Sequence, residues 1–279
     1  MKFTNRSFGL EIEFTHTNPH RQELTHDEKM DLVLQLRQAG IPIMTGYRNE
    51  SHSGYWKLTR DGSCGNELVS PILSGKEGLE EVKKVTEILI NFPQIKVNKN
   101  CGLHVHIDAR DLSKKQITKV FLNYAKWEKV FDALVPPSRR RDSNGFCKSI
   151  EWILNYSTLN EEFKKDYARS YSQHFDKYYK VNLIPYVTQG SIEFRQHSGT
   201  LNADKIINWV ILLIGFVEKT SKGHYADDRP NNYTFKRFKK WMKLRSSDRY
   251  QPEVQQCNDF ISKRFKELNH DVKFSTELV

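Results

Sequence analysis

With 279 residues, of which 38% are hydrophobic, 12% aromatic and 28% charged, the chain can bury one large core and is neither collagen-like nor disordered throughout. Its 44 Lys+Arg against 34 Asp+Glu leave a net charge of +10, which favours encounter with polyanionic or phosphorylated partners and says nothing about fold. No run reaches the roughly 18 apolar residues that a membrane helix needs, no signal-type stretch opens the sequence, and Cys64, Cys101, Cys147 and Cys257 are scattered without a CxxC pair, so neither a disulfide framework nor a thiolate zinc cluster is expected. The expectation is a cytoplasmic protein with reduced, structural thiols and no membrane contact.

In chain order, Phe8–Phe14 alternates around two glutamates and reads as a strand. Glu28–Ala39 reads as a helix on Met30, Val33 and Leu34, stopping at Gly40. Tyr55–Thr59 and Leu68–Leu73 are strands flanking the turn-rich Asp61–Asn66, and Gly78–Phe92 is a helix with Leu79, Val82, Ile88, Leu89 and Phe92 near one face. Leu103–Asp108 is a short strand, and Ser113 is the expected N-cap of a helix that runs to about Leu134, before Pro136-Pro137. Ser138–Cys147, with Arg139, Arg140 and Arg141, reads as a mobile basic loop or lid. Val181–Val187 and Ser191–Gln196 are expected to form a hairpin around Gln189-Gly190, and Ile206–Lys219 a buried helix within Ala203–Thr220. Beyond Ser221 a polar linker precedes Phe235–Arg245, which carries six basic and no acidic residues. Residues 220–279 hold 13 basic and 8 acidic residues, half of the whole excess. The division expected is a main domain over 1–220 and a basic helical extension over 221–279. Hairpin-like turns between strands favour α+β over a doubly wound parallel sheet.

The chemistry concentrates in pairs spaced by two: Glu11/Glu13, His104/His106 and Glu193/Arg195. On a strand each pair faces one way, its members roughly 7 Å apart. Glu67, just before the Leu68–Leu73 strand, is a further candidate. Singly, such residues are ordinary solvated or ion-paired positions, but together on one sheet they would bury charge that only a metal or partner offsets. A carboxylate-rich set suits Mg²⁺ or Mn²⁺ over zinc. Two such ions could bridge phosphate oxygens, with Arg195 as a fixed donor fork for a phosphoryl group. There is no Walker-type GxxxxGK[ST] and no GxGxxG, and Cys101 and Ser198 lie in no nucleophile elbow.

FGLEIEF (Phe8–Phe14), NELVSPI (Asn66–Ile72), CGLHVHID (Cys101–Asp108) and SIEFRQHSGTL (Ser191–Leu201) together resemble the amidoligase family, carboxylate–amine ligases related to glutamine synthetase and glutamate–cysteine ligase. The resemblance spans about residues 8–220. It implies an α+β fold with a glutamine-synthetase-like curved, mainly antiparallel sheet backed by helices, and a concave face for ATP with two or three Mg²⁺ or Mn²⁺ ions. It also implies amide synthesis through an acyl phosphate. By position it assigns Glu11, Glu13, Glu67, His104 and Glu193 as metal ligands, His106 as nucleotide-facing, and Arg195 as phosphate-binding and catalytic. Lys180 and Asn182 could reach the substrate or acyl phosphate, and Arg60 and Asp61 are comparable candidates beside Glu67, Arg60 toward the cofactor. The partners implied are small-molecule or peptide carboxylates and amines.

Two alternatives stand beside this reading. A nucleic-acid-associated protein could stack bases on the aromatics of Phe235–Arg245, although Phe235, Phe238 and Trp241 or Met242 also fit an apolar face docked on the main body, which is favoured. A zinc hydrolase could be built on the His104/His106 pair. Neither the substrates nor the oligomeric state is specified by the sequence.

Overall fold

The computed structural model describes residues 1–45, 54–151, 154, 177–223, 233–244 and 251–269. Eight strands and seven helices lie among them, and the contacts divide the chain into two units. The first comprises Asn5–His106 and His197–Val210; the second comprises Met1–Thr4, Ile107–Gln196 and Ile211–Val279.

The first unit is a mixed sheet built from β1 (Phe8–His16), β2 (Ile43–Thr45), β3 (Trp56–Asp61), β4 (Gly65–Val69), β5 (Ile95–Lys96) and β6 (Gly102–Asp108), in the order β2-β3-β4-β1-β6 with β5 beside β1. β2 runs parallel to β3, while β3, β4 and β1 pair antiparallel, as do β1 and β5. Its register fixes two faces. Glu13 stands opposite Glu67 and Thr59 opposite Glu67, so Glu11, Glu13, Glu67, Lys57, Thr59 and Asp61 share one side. Ile12, Phe14, Leu68, Leu58 and Trp56 share the other, and all of them are buried. That apolar side needs a cover, which α1 (His26–Gln38) and α2 (Gly75–Asn91) supply. The Trp56 indole N–H donates to Glu81 of α2 at 2.6 Å.

Thr25 begins α1 with a capping box to Glu28. The buried stripe of α1 is Leu32, Val33 and Leu36, whereas Met30 and Leu34, expected on the inner face, are exposed. β4 takes in Gly65 and Asn66, the last two residues of the expected turn, and stops at Val69, because Pro71 cannot continue the ladder. Gly65, at φ 101°, closes the β3–β4 turn where a side chain would strike the Gln22 carbonyl at 2.4 Å.

The second unit holds α3 (Lys114–Asp132), the hairpin of β7 (Val181–Asn182) and β8 (Ser191–Ser198), the intervening α4 (Ile184–Gln189), most of α5 (Ala203–Lys222), α6 (Phe235–Met242) and α7 (Pro252–Leu268). Ser113 caps α3 in a second capping box, with Gln116. β7 and β8 pair antiparallel as expected, but Ile184–Gln189 is a helix where strand was expected. Pro185 suits a first helical turn, the Asn182 side chain accepts from the Ile184 N–H at 3.0 Å, and Gly190 at φ 74° ends the turn.

The basic segment after Pro137 is anchored, contrary to the lid expectation. Arg139 is buried in a 3₁₀ turn (Pro137–Arg139), Arg140 donates to the carbonyls of Val135 and Leu268, and the Arg141 N–H donates to Asp132. On α6, Phe238 is fully buried and packs against Trp127 and Phe131 of α3, while Phe235 stacks on Phe265 of α7 at 4.2 Å between centroids. Trp241 sits 5.3 Å from Trp127, with the Lys219 ammonium 5.0 Å from its ring. These aromatics are spent on packing, which answers the base-stacking alternative as far as the described residues go. Most of the expected linker (224–232) and Arg245 lie outside the described residues. No described helix is long and apolar enough to cross a membrane.

Candidate metal centre and phosphate-side cations

β1 and β6 bring four of the expected residues together. His104 Nδ1 lies 2.8 Å from Glu11 Oε2 and its Nε2 lies 3.3 Å from Glu13 Oε1; His106 Nε2 lies 3.3 Å from the other Glu11 oxygen. Glu67 joins from β4: single ligand atoms of Glu13, Glu67 and His104 all lie within 4.8 Å of one another, and all three residues are buried. The alternation that keeps Ile12, Leu68 and Val105 in the core is what turns these side chains to the other face.

Close approach is built into the backbone. The Gly102 N–H donates to Glu13 Oε2 at 2.6 Å. A Cβ at Gly102 would stand 2.8 Å from His104 Nε2 and 3.4 Å from the Glu13 oxygen. Burial raises the Glu11 carboxyl, but hydrogen bonds and charge from His104 and His106 outweigh it and hold the group well below the usual carboxylate range.

The donor set fits a divalent cation. Carboxylates only accept, and a neutral imidazole has one N–H, so His104 satisfies both of its carboxylate neighbours only as an imidazolium or with a cation between one nitrogen and one oxygen. Several buried carboxylates around one imidazole make a hard, oxygen-rich set, suited to Mg²⁺ or Mn²⁺.

Asp61 occupies the same face, with its Oδ1 accepting from the N–H groups of Ser63 and Cys64 at 2.7 and 3.0 Å. Burial raises this carboxyl, and these hydrogen bonds more than reverse the effect. Arg60 does not join: opposite Asn66 in the register, it lies on the helix-covered side of the sheet. Its side chain is exposed and pairs with Glu23 at 2.6 Å. This corrects the cofactor-binding expectation, since neighbours on a strand face opposite ways.

Sequence reasoning overlooked Lys57, buried on the acidic face two residues before Thr59 and four before Asp61. The same period-two pattern that marked β1 would have found it. Cys64, expected to be a structural thiol, is buried and donates to Asp61 Oδ1 at 3.3 Å.

In the second unit, Arg195 Nη1 donates to Glu193 Oε1 at 2.5 Å, and the Asn182 amide donates to Glu193 Oε2 at 2.6 Å. A buried guanidinium is thus fixed along β8 by its i−2 carboxylate, and the carboxylate by the neighbouring strand. Lys180 is placed differently from expectation. Its ammonium is fully buried and donates to Glu128 Oε1 and Asp132 Oδ1 of α3, both at 2.7 Å. Gln196, on the opposite face of β8 from Glu193 and Arg195, donates to the same Asp132 oxygen and accepts from the Tyr124 hydroxyl. Lys180 therefore belongs to a buried network behind the strand. Burial would lower its pKa, but the two carboxylates raise it and keep it charged.

No curated protein matches the sequence. A novel glutamine synthase homolog superposes with a TM-score of 0.51 at 9% identity, covering 98% of this chain and 69% of its own. The complex between the prokaryotic ubiquitin-like protein Pup and its ligase PafA gives 0.46 at 12% identity, with 95% and 63% covered. A GmaS/ADP complex gives 0.47 at 10%, with 96% and 71% covered. The first establishes a glutamine-synthetase-like fold; this chain spans less than two thirds of the PafA-complex chain. The family model described as "Putative amidoligase enzyme" matches residues 4–217, which contain every acidic, imidazole and guanidinium group considered above. The chain accordingly belongs to the amidoligase family and, at that level, is a ligase that forms amide bonds.

Proposed function

We propose that this amidoligase is an ATP-dependent carboxylate–amine ligase. The observation that carries the reading is the buried Glu13, Glu67 and His104 cluster, with Glu11 and His106 beside it, on the face of the first unit's sheet that α1 and α2 leave uncovered. Glu11, Glu13, Glu67 and His104 would hold Mg²⁺ or Mn²⁺, with Glu193 as the further carboxylate that the family resemblance implies. Bound there, such ions neutralise charge on phosphate oxygens during phosphoryl transfer.

The chain's own groups do the rest. His106 faces the nucleotide, and its contact with Glu11 keeps the ring oriented. Arg195, held by Glu193, offers a permanently charged fork to the transferred phosphoryl group. Lys57 adds a buried cation to the acidic face. Attack of the substrate carboxylate on the γ-phosphorus of ATP breaks the bond to the β-phosphate oxygen, giving an acyl phosphate and ADP. Attack of an amine then expels phosphate, and the amine's proton leaves to give the amide. An amino acid or peptide is the substrate class we favour, and the protein is expected to act in the cytoplasm.

Isothermal titration of Mg²⁺-nucleotide tests the site. Wild type is expected to bind and Glu193→Ala to bind at least ~10-fold more weakly. No binding by wild type, or unaltered binding by the variant, would overturn the assignment.

A further inference from the structure

The chemistry proposed for Arg195 leaves a large polar cluster in the core of the second unit unused. Tyr124, Glu128 and Asp132 recur every four residues along one stripe of α3, and all three are buried. Into this stripe come the Lys180 ammonium, which donates to Glu128 Oε1 and Asp132 Oδ1, and the Gln196 amide, which donates to the same Asp132 oxygen and accepts from Tyr124. The other two carboxylate oxygens are satisfied by backbone: the Ile150 N–H donates to Glu128 Oε2 at 2.8 Å and the Arg141 N–H to Asp132 Oδ2 at 2.9 Å. A buried cation between two acids gains little stability over apolar packing of the same volume. What a satisfied buried network does gain is one fixed arrangement of the segments that it joins.

We propose that Lys180 is a positioning residue for Arg195, and that the network behind β8 sets the place and direction of the guanidinium on its front. Three links connect the two residues. The Lys180 carbonyl accepts from the Arg195 N–H at 2.9 Å. Gln196, the residue after Arg195, is tied to the same Asp132 oxygen that holds the Lys180 ammonium. Asn182, two residues after Lys180, donates to Glu193 Oε2, while Arg195 donates to Glu193 Oε1. The carboxylate that orients the fork is therefore itself placed by the strand that Lys180 leads into.

Lys180 is anchored on its other side as well, since its N–H donates to the Lys148 carbonyl at 2.9 Å. The Arg195 backbone cannot slide without disturbing a buried charged contact on α3, and its side chain cannot turn without leaving Glu193. A misplacement of about 1 Å in an oriented group costs on the order of 100-fold in rate, so an anchor of this kind is visible in turnover. The ammonium of Lys180, fully buried, acts through Arg195 and not by contact with a reacting atom.

The inference rests on the ligase reading, in which Arg195 meets the transferred phosphoryl group, so its test includes a readout that needs no turnover. Side-chain ¹⁵N spectra of the full-length protein, with the Arg195 signals assigned by their loss in Arg195→Lys, follow the motion of the guanidinium. Wild type is expected to show slowly exchanging Arg195 N–H signals, and Lys180→Met and Gln196→Met to exchange at least ~10-fold faster. In turnover, both variants are expected to lose about 10- to 100-fold in kcat while the Kd for Mg²⁺-nucleotide moves less than about threefold. Added to Arg195→Lys, each is expected to cost less than about threefold more, because the fork that it positions is already gone. Gln196→Met keeps the Lys180 ion pairs and decides the matter if Lys180→Met does not fold. Unchanged Arg195 exchange in a folded variant, or kcat losses that multiply in full with that of Arg195→Lys, would overturn the proposal. A wild type with a fixed Arg195 guanidinium that Gln196→Met frees, but with no turnover, would sink the ligase reading and leave the positioning of Arg195 standing.

Discussion

His104 touches Glu11 through one ring nitrogen and Glu13 through the other, so a single imidazole ties two carboxylates that β1 presents side by side. Removing one charge from this set without changing its shape should expose its purpose. Glu67→Gln is expected to weaken Mn²⁺ binding at least ~10-fold in a spin-resonance titration while leaving the melting temperature nearly unchanged; unchanged Mn²⁺ affinity would show that Glu67 holds no ion. Arg195→Lys keeps the positive charge but loses the planar fork that Glu193 orients. Its kcat is expected to fall about 100-fold or more with a smaller change in nucleotide affinity, as for loss of a donor aimed at charge that develops in the transition state. A variant in which only the nucleotide Kd moves would make Arg195 a binding residue alone.

At the scale of elements, the hairpin of β7 and β8 rests on the buried network under it. Lys180→Met leaves Glu128 and Asp132 without their cation, at an expected cost of about 3–5 kcal/mol. Burial raises the Glu128 carboxyl, and a carboxyl raised in the folded state costs stability progressively as pH climbs past its ordinary 4.5. The deficit of Lys180→Met against wild type should therefore be smaller near about pH 5 than near about pH 8 in denaturant titrations; equal deficits would mean that Glu128 does not titrate with folding. For α6, Phe238→Ala is expected to cost about 3–5 kcal/mol, because its ring is fully buried between Trp127 and Phe131. A negligible cost would mean that the helix is not docked in solution. What was legible here followed the physics. Capping boxes, period-two strands and the long apolar run of α5 announce themselves locally. Ile184–Gln189 did not, because Val187 and Thr188 have strand propensity, and Pro185 and the Asn182 contact decided the matter.

At the scale of the whole molecule, the sequence carried the residue types of the candidate site and their facing, since pairs at i and i+2 on a strand turn the same way. It could not carry the register. Only the pairing of Glu67 with Glu13 and of Thr59 with Glu67 shows which of Arg60 and Asp61 reaches the acidic face, and the answer is Asp61. Lys180 was misread for a related reason: its position beside β8 was visible in sequence, but the two carboxylates on α3 that capture it are far away along the chain. The net charge of +10 proved the least informative feature. The described part of the basic tail packs through its aromatics, and the groups that matter most are a few buried acids.

The most direct measurement is trapping of the activated carboxylate. Purified protein would be incubated with Mg²⁺-ATP, hydroxylamine and a panel of amino-acid and peptide carboxylates, with hydroxamate and ADP quantified together. The expected result is equimolar, Mg²⁺-dependent hydroxamate and ADP with at least one carboxylate, abolished in Glu67→Gln. ADP release that needs no carboxylate, or hydroxamate formation that Glu67→Gln leaves intact, would contradict the assignment of this face as the centre of an ATP-dependent amide ligase.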